Sequence, residues 1–274
     1  MNKLRIGAVI YNPKVTVIWG IIAKFFEDEQ FPIEPVYYKD YKAQVDGLLA
    51  GEIDVAWNSP LAWLDTHIRT KGMALDGSMR DTDQNRCSYL VVKNNSGITT
   101  LADLKGKTIG FGAIDSPQAR LIPINHLHTH GLEFGQDYVE KRFDIGVGLH
   151  GDHVGGELDS AIALKNGEVD ATWMLDLNYN TWIGDGTLDE SQVIILSKTD
   201  HFDHCIFSGH PNLEKDRFEK FIEVLHKMDY NNPDHKEMMD MEGLKQWVYG
   251  RTTGFKQIGE ANEYLQFFTN FHGE

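Results

Sequence analysis

One short string occurs twice in this chain and constrains its fold more than any other feature. Gly51-Glu52-Ile53-Asp54-Val55-Ala56-Trp57 returns as Gly167-Glu168-Val169-Asp170-Ala171-Thr172-Trp173, with Gly, Glu, Asp and Trp identical at a constant offset (167 − 51 = 116). In each copy a glycine ends a helical pattern and a short apolar run follows, the signature of a helix handing over to a buried strand. The elements before each copy repeat as well. Lys3–Ile10 reads as a strand, and Val15–Glu29, with apolar pairs at Val17/Ile18, Ile21/Ile22 and Phe25/Phe26, as an amphipathic helix. Ile33–Tyr38 reads as a strand, Tyr41–Ala50 as a helix stopped by Gly51, and Ile53–Trp57 as a third strand. After residue 100 the order recurs as Lys107–Gly112, Pro117–His130, Lys141–Ile145, Gly156–Asn166 and Val169–Leu175. This alternation predicts an α/β protein of two lobes, each an open, mainly parallel sheet with helices on both faces.

Two extended stretches, Arg86–Lys93 and Val193–Phe207, are expected to cross between the lobes. The tail reads as helical over Arg217–Met228, about 234–249, and Glu260–Phe271. Lobe one is then 1–87 plus 205–274 and lobe two 88–204, a division that suits 274 residues. A chain with two hinge crossings is built to close like a clamshell. Lys+Arg 26 against Asp+Glu 41 gives 26 − 41 = −15, which argues against nucleic acid or an anionic membrane as partner. No run of eighteen apolar residues is present, so no membrane span is expected. The first ten residues enter a strand-like run without the order of a leader peptide. That fits a cytoplasmic chain starting at Met1, or a periplasmic or extracellular one whose leader was removed.

Ligands of open α/β sheets bind outside the carboxyl ends of strands, where helices begin. Asn12-Pro13, Ser59-Pro60 and Ser116-Pro117 mark three such places, each a good N-cap residue before a proline suited to the first helical position. Helix starts present unpaired N–H groups and partial positive charge, so they suit an acidic ligand. Tyr11 and Tyr179 sit at strand ends as candidate ligand contacts, while the repeat-equivalent Trp57 and Trp173 are expected to be structural. Gly146-x-Gly148 and Gly155-Gly156 lack the spacing of a dinucleotide fingerprint or a P-loop.

The run Gly97-Ile98-Thr99-Thr100-Leu101-Ala102-Asp103-Leu104-Lys105-Gly106-Lys107-Thr108-Ile109-Gly110-Phe111 carries a family resemblance, as do Leu121-Ile122-Pro123, His130-Gly131-Leu132, Gly155-Gly156 through Asp170, and Asn58-Ser59-Pro60. Together they resemble the type 2 periplasmic-binding-protein fold, in particular the phosphate/phosphite/phosphonate substrate-binding proteins of ABC importers. The resemblance implies a solute-binding protein for uptake or sensing, with a small ligand and an ABC-importer permease as partners. Its members usually have a Ser/Thr-rich anion turn where this chain has Asp115-Ser116-Pro117-Gln118. An acid there opposes a divalent anion by a few kcal/mol, on the order expected near a protein surface. The expected ligand is therefore small and polar, anionic or zwitterionic, with a phosphonate-like compound among the candidates. Its acidic end would lie at the helix starts near Asn12, Ser59 and Ser116 and its cationic or hydroxyl end on Asp115, Glu157 and Asp176, with Tyr11, Asn58, Gln118 and Tyr179 as further candidate ligand-binding residues. Arg120, one turn into the helix, is the candidate to offset Asp115.

The rival reading is a metal-dependent enzyme on the same fold, cytoplasmic and using iron or zinc. His150, His153, His204 and Cys205 are its candidate ligands, because His, Cys and carboxylate at the crossings could hold a divalent metal. None of their spacings is diagnostic, and no catalytic signature is present, so a binding protein without cofactor is the expectation. His126-x-His128-x-His130 alternates around a helix and is expected to be surface.

Overall fold

The computed structural model describes residues 3–151 and 155–270. The chain divides into two compact units, Met1–Gln84 with Asp203–Phe255 and Asn85–Phe202 with Lys256–Glu274. The sequence division ran at 87/88 and 204/205 and kept the whole tail in the first lobe; here the segment from Lys256 onward packs with the second unit.

The first unit opens with β1 (Leu4–Val9), α1 (Lys14–Asp28), β2 (Ile33–Tyr38), α2 (Tyr41–Leu49), β3 (Val55–Asn58), α3 (Pro60–Thr70), β4 (Leu75–Asp76) and β5 (Ser78–Arg80). The second contains β6 (Ser88–Lys93), β7 (Thr108–Phe111), a π-helical turn at Pro117–Leu121 running into α4 (Ile122–Thr129), β8 (Val139–Arg142), α5 (Gly155–Asn166), β9 (Ala171–Leu175), α6 (Asp176–Gly184) and β10 (Val193–Lys198). The chain then returns through β11 (Ile206–Gly209), α7 (Lys215–Leu225), α8 (Pro233–Glu242) and β12 (Trp247–Tyr249), and ends with α9 (Lys256–Leu265) and α10 (Phe267–Asn270). α9 lies against α4, which assigns the tail to the second unit.

The sheets share one topology. The first is ordered β2-β1-β3-β11-β4 and the second β8-β7-β9-β6-β10. In each, three parallel strands are followed by two antiparallel pairings, β3 with β11 and β11 with β4, then β9 with β6 and β6 with β10. Both sheets are thus mixed, because the stretches read as crossings supply antiparallel strands. The repeated string has the same structure twice. Gly51 (φ 73°) and Gly167 (φ 78°) take the left-handed conformation that ends each helix. Asp54 accepts from the Arg5 amide at 2.8 Å, and Asp170 from the Thr108 amide at 2.8 Å. The aspartate amides answer, Asp54 to Arg5 O at 2.9 Å and Asp170 to Thr108 O at 2.8 Å.

Helices bury their apolar faces against these sheets. In the first unit Ile18, Ile22, Phe25 and Phe26 of α1 join Phe218 and Phe221 of α7 and Phe207 of β11. The second unit has a core on each sheet face, one around Phe111, Ile124, Leu127 and Trp173, the other around Val91, Leu164, Met174 and Trp182. Among the described residues no helix is long and apolar enough to cross a membrane.

Candidate functional site

In the second unit the starts of three helices are joined by one polar network. Ser116 caps the π-helical turn, its Oγ accepting from the Ala119 amide at 3.2 Å. Gln118 follows, 2% exposed, and donates through Nε2 to Gly151 O at 2.7 Å and to Glu157 Oε1 at 3.0 Å. Both partners are pure acceptors, so the orientation of this amide is fixed. Glu157, in the first turn of α5, accepts through Oε2 from the Leu175 amide at 2.9 Å and from Asn178 Nδ2 at 2.7 Å. It therefore ties the first helix start to the third, that of α6. Burial pushes the Glu157 carboxyl above its ordinary pKa, against these three donors.

Asp115 is fully buried and aimed at the glycine loop, where Oδ2 accepts from the Gly148 amide at 2.7 Å. His150 Nε2 lies 3.6 Å from the same oxygen. The loop reaches the helix start because Gly146, Gly148 and Gly151 all take positive φ. A Cβ at Gly151 would stand 2.6 Å from Ser116 Oγ, so the approach requires glycine. Asp176 begins α6 with its carboxylate 3.4 Å from Arg86 Nη1. Burial raises its pKa, with Arg86 opposing. Three acceptor atoms at these helix starts, Asp115 Oδ1, Gln118 Oε1 and Asp176 Oδ1, are buried with no hydrogen-bond donor.

The remaining candidates divide by unit. Arg120 does not offset Asp115. It is 6% exposed and turns to Glu140, with Nε to Oε1 at 2.6 Å, while Nη1 donates to Ile114 O at 3.0 Å. Tyr179 meets Tyr89 edge-on, ring centres 5.4 Å apart, within the packed face of the sheet. In the first unit Ser59 Oγ accepts from the Ala62 amide at 3.2 Å and caps α3, whereas Asn12 Oδ1 accepts from the Lys14 amide at 3.0 Å in a turn just before α1, whose N-cap position is Pro13 and not Asn12 as the Asn-Pro pattern predicts. Asn58 is fully buried, taking Gln44 Nε2 at 3.0 Å and donating to Thr66 Oγ1 at 3.3 Å, which makes it a brace between α2 and α3. Tyr11 lines a cavity with Trp19, Tyr41, Trp57, Trp247 and Glu242 that encloses about 20 Å³, room for about one water. Trp173 is fully buried in the core; Trp57 packs on Phe207 and also lies under the Arg80 guanidinium at 5.4 Å.

Of the metal candidates, His153 lies outside the described residues, and His150 stands by Asp115 in the second unit. His204 and Cys205 meet in the first unit, Nδ1 to Sγ 3.1 Å, beside Asp83. The sequence reading missed Asp83 because no spacing ties it to His204 and Cys205, which lie far along the chain. His126 and His130, expected at the surface, share one helix face at i,i+4 with ring centres 4.2 Å apart, and His126 bonds Ser197 at 2.9 Å.

Comparison with known proteins places the family and the fold. A family model described as ABC transporter, phosphonate, periplasmic substrate-binding protein matches residues 11–251. A probable ABC transporter phosphite binding protein, PhnD1 of Prochlorococcus marinus, is 24% identical over 286 aligned positions, covering 94% of this chain and 92% of that protein. The phosphate-import protein PhnD of Mycolicibacterium smegmatis is 26% identical over 217, covering 77% of this chain and 66% of that one. The structure of Prochlorococcus marinus PhnD1 in complex with methylphosphonate superimposes with a TM-score of 0.72 at 18% identity, over 96% of this chain and 98% of that one. The topology of each unit is that of the type 2 binding-protein fold, and the match runs through nearly all of it: the chain belongs to the phosphonate-type family of periplasmic substrate-binding proteins of ABC transporters.

Proposed function

We propose that the protein captures a small zwitterion, an aminoalkylphosphonate or a close analogue, for delivery to an ABC-importer permease in the compartment typical of its family. The observation that carries this reading is the set of buried acceptors without donors, Asp115 Oδ1, Gln118 Oε1 and Asp176 Oδ1. A buried acceptor left unpaired costs about 1–3 kcal/mol, so a ligand offering N–H or O–H groups gains what a purely anionic ligand cannot. The acidic end suits the start of the π-helical turn. The Ala119 amide is taken by Ser116 Oγ and the Arg120 amide by Ser116 O at 3.2 Å, which leaves the Gln118 amide to donate; the Ser116 hydroxyl, already an acceptor for Ala119, keeps its proton to donate as well. Glu157 acts here as a positioning residue, since its three donors come from the protein itself.

Calorimetry with 2-aminoethylphosphonate, methylphosphonate and inorganic phosphate tests the reading. The expected result is tightest binding of the amino compound, and Asp176→Asn should weaken it about 10-fold or more while leaving methylphosphonate within about 2-fold. Equal affinity for all three in the unaltered protein would refute the zwitterion, and absence of binding to any would refute this ligand class.

A further inference from the structure

We propose that Asp83, His204 and Cys205 form a binding site for a thiophilic divalent cation, zinc in the first instance, in the first unit. The site is independent of the ligand reading above, which rests on second-unit residues. Among the described residues these three bring one nitrogen, one sulfur and one oxygen within 4.8 Å of one another. His204 Nδ1 stands 3.1 Å from Cys205 Sγ and 3.7 Å from Asp83 Oδ1. Ligands about 2.0–2.3 Å from a tetrahedral zinc are about 3.3–3.6 Å apart, so both distances lie within a few tenths of an ångström of a coordination shell. All three side chains are buried, Asp83 at 2%, His204 at 8% and Cys205 at 1% exposure.

The surrounding bonds fix the donors in place. The His204 amide donates to Asp83 O at 2.8 Å, which locks the two segments together, and Cys205 directly precedes β11. Arg80 grips Asp83 from the other side. Its backbone amide (3.1 Å) and Nε (2.8 Å) both reach Oδ2, and Nη2 reaches Oδ1 at 2.7 Å. A carboxylate has about four lone-pair directions. Three are thereby taken, and the fourth belongs to Oδ1, the oxygen nearest His204. Arg80 thus plays the outer-shell part usual for a ligating carboxylate.

Charge points the same way. Arg80 also holds Glu242, Nη1 to Oε2 at 2.9 Å, so one cation faces two acids. A divalent cation with a Cys205 thiolate adds +2 − 1 and brings this buried cluster from −1 to zero. The mixed sulfur, nitrogen and oxygen set selects zinc, cobalt or copper over magnesium and calcium, which prefer all-oxygen shells.

The test uses the full chain, stripped with chelator and titrated with cobalt(II) and then zinc. Cobalt–thiolate coordination gives a charge-transfer absorption that one equivalent of zinc should abolish. The band should persist in Cys87→Ser, which removes the only other cysteine, vanish in Cys205→Ser, and require at least 10-fold more cobalt in His204→Gln. Circular dichroism confirms that each variant is folded. Should Cys205→Ser not fold, alkylation of Cys205 in the unaltered protein decides, with zinc expected to slow it at least 10-fold. No band, a band that survives Cys205→Ser, one lost with Cys87→Ser, or alkylation indifferent to zinc would each overturn the site.

Discussion

Replacing Glu157 by leucine tests whether one buried carboxylate holds the helix starts of the second unit together. Leucine keeps most of the volume and removes the acceptor of three donors. The Leu175 amide, buried at the end of β9, donates to Glu157 Oε2, so loss of that acceptor costs about 1–3 kcal/mol. Gln118 keeps Gly151 O, and Asn178, only part-buried, can turn toward water. Each of these two bonds is worth about 0.5–1.5 kcal/mol. The sum, about 2–6 kcal/mol, is lowered by relief of the carboxylate's own burial, which leaves an expected loss of about 2–4 kcal/mol. Urea unfolding followed by the fluorescence of Trp173 and Trp182, both buried in this unit, measures it. The pH dependence supplies an independent check. Burial holds the folded Glu157 pKa above its unfolded value, so this group stabilises most below the ordinary glutamate range, and that contribution is lost as pH rises through the raised value. The slope should be absent in the leucine variant. A stability change under about 0.5 kcal/mol, or an unchanged slope, would refute the assignment of Glu157 as the tie.

The repeated aspartates should behave as unequal twins. Asp54→Ala is expected to cost about 1–2 kcal/mol and Asp170→Ala about 1 kcal/mol, because Asp54 also binds the Arg5 guanidinium at 2.7 and 3.1 Å. Burial raises the Asp54 pKa, but the Arg5 donors outweigh it and hold the carboxyl below its ordinary value. Its contribution is therefore present above the ordinary aspartate range and lost as pH falls through the lowered value, which acid unfolding of the two proteins would show. His126 is held at about 4 by burial, reinforced by His130, and so is neutral at pH 7. Stability should fall by about 1–2 kcal/mol as pH drops from about 6.5 to 4, after allowance for solvent screening of the half-buried ring, and His126→Gln should flatten that decline in thermal melts.

Much of this architecture was legible because its strands and helices carry strong periodicity. β2 falls on Ile33–Tyr38 as read, and α1 and α5 lie within one residue at each end. What escaped was short or set by distant partners. The run read as helix to residue 249 breaks at Gly243, with φ of 68°, and its end pairs with β5 as β12. Three residues, Trp247–Tyr249, carry no period that separates strand from helix. α6 was not seen either, although Asp176 at its start was. The candidate site was legible as residue types at helix starts, but not as directions. Arg120 was expected to face Asp115 because both lie in one turn, yet Glu140, twenty residues on, takes it. Asn58 sits in the turn that marks the family, yet its amide braces two helices. Asp83 was invisible because its partners, His204 and Cys205, are more than a hundred residues away in sequence.

The strand order has a consequence for a chain made from its amino end. By Phe202 all five strands of the second sheet exist on the nascent polypeptide, but the first sheet still lacks β11, which sits between β3 and β4. Until Ile206–Gly209 emerge from the ribosome, β3 offers a bare edge of backbone amides and carbonyls, and β4 has nothing to pair with. The later-encoded sheet is therefore the earlier one to close, and the amino-terminal unit waits for the carboxyl-terminal quarter of its own chain. A stalled or truncated product ending between residues 202 and 206 would expose that edge to a second copy, the kind of exposure that chaperones bind.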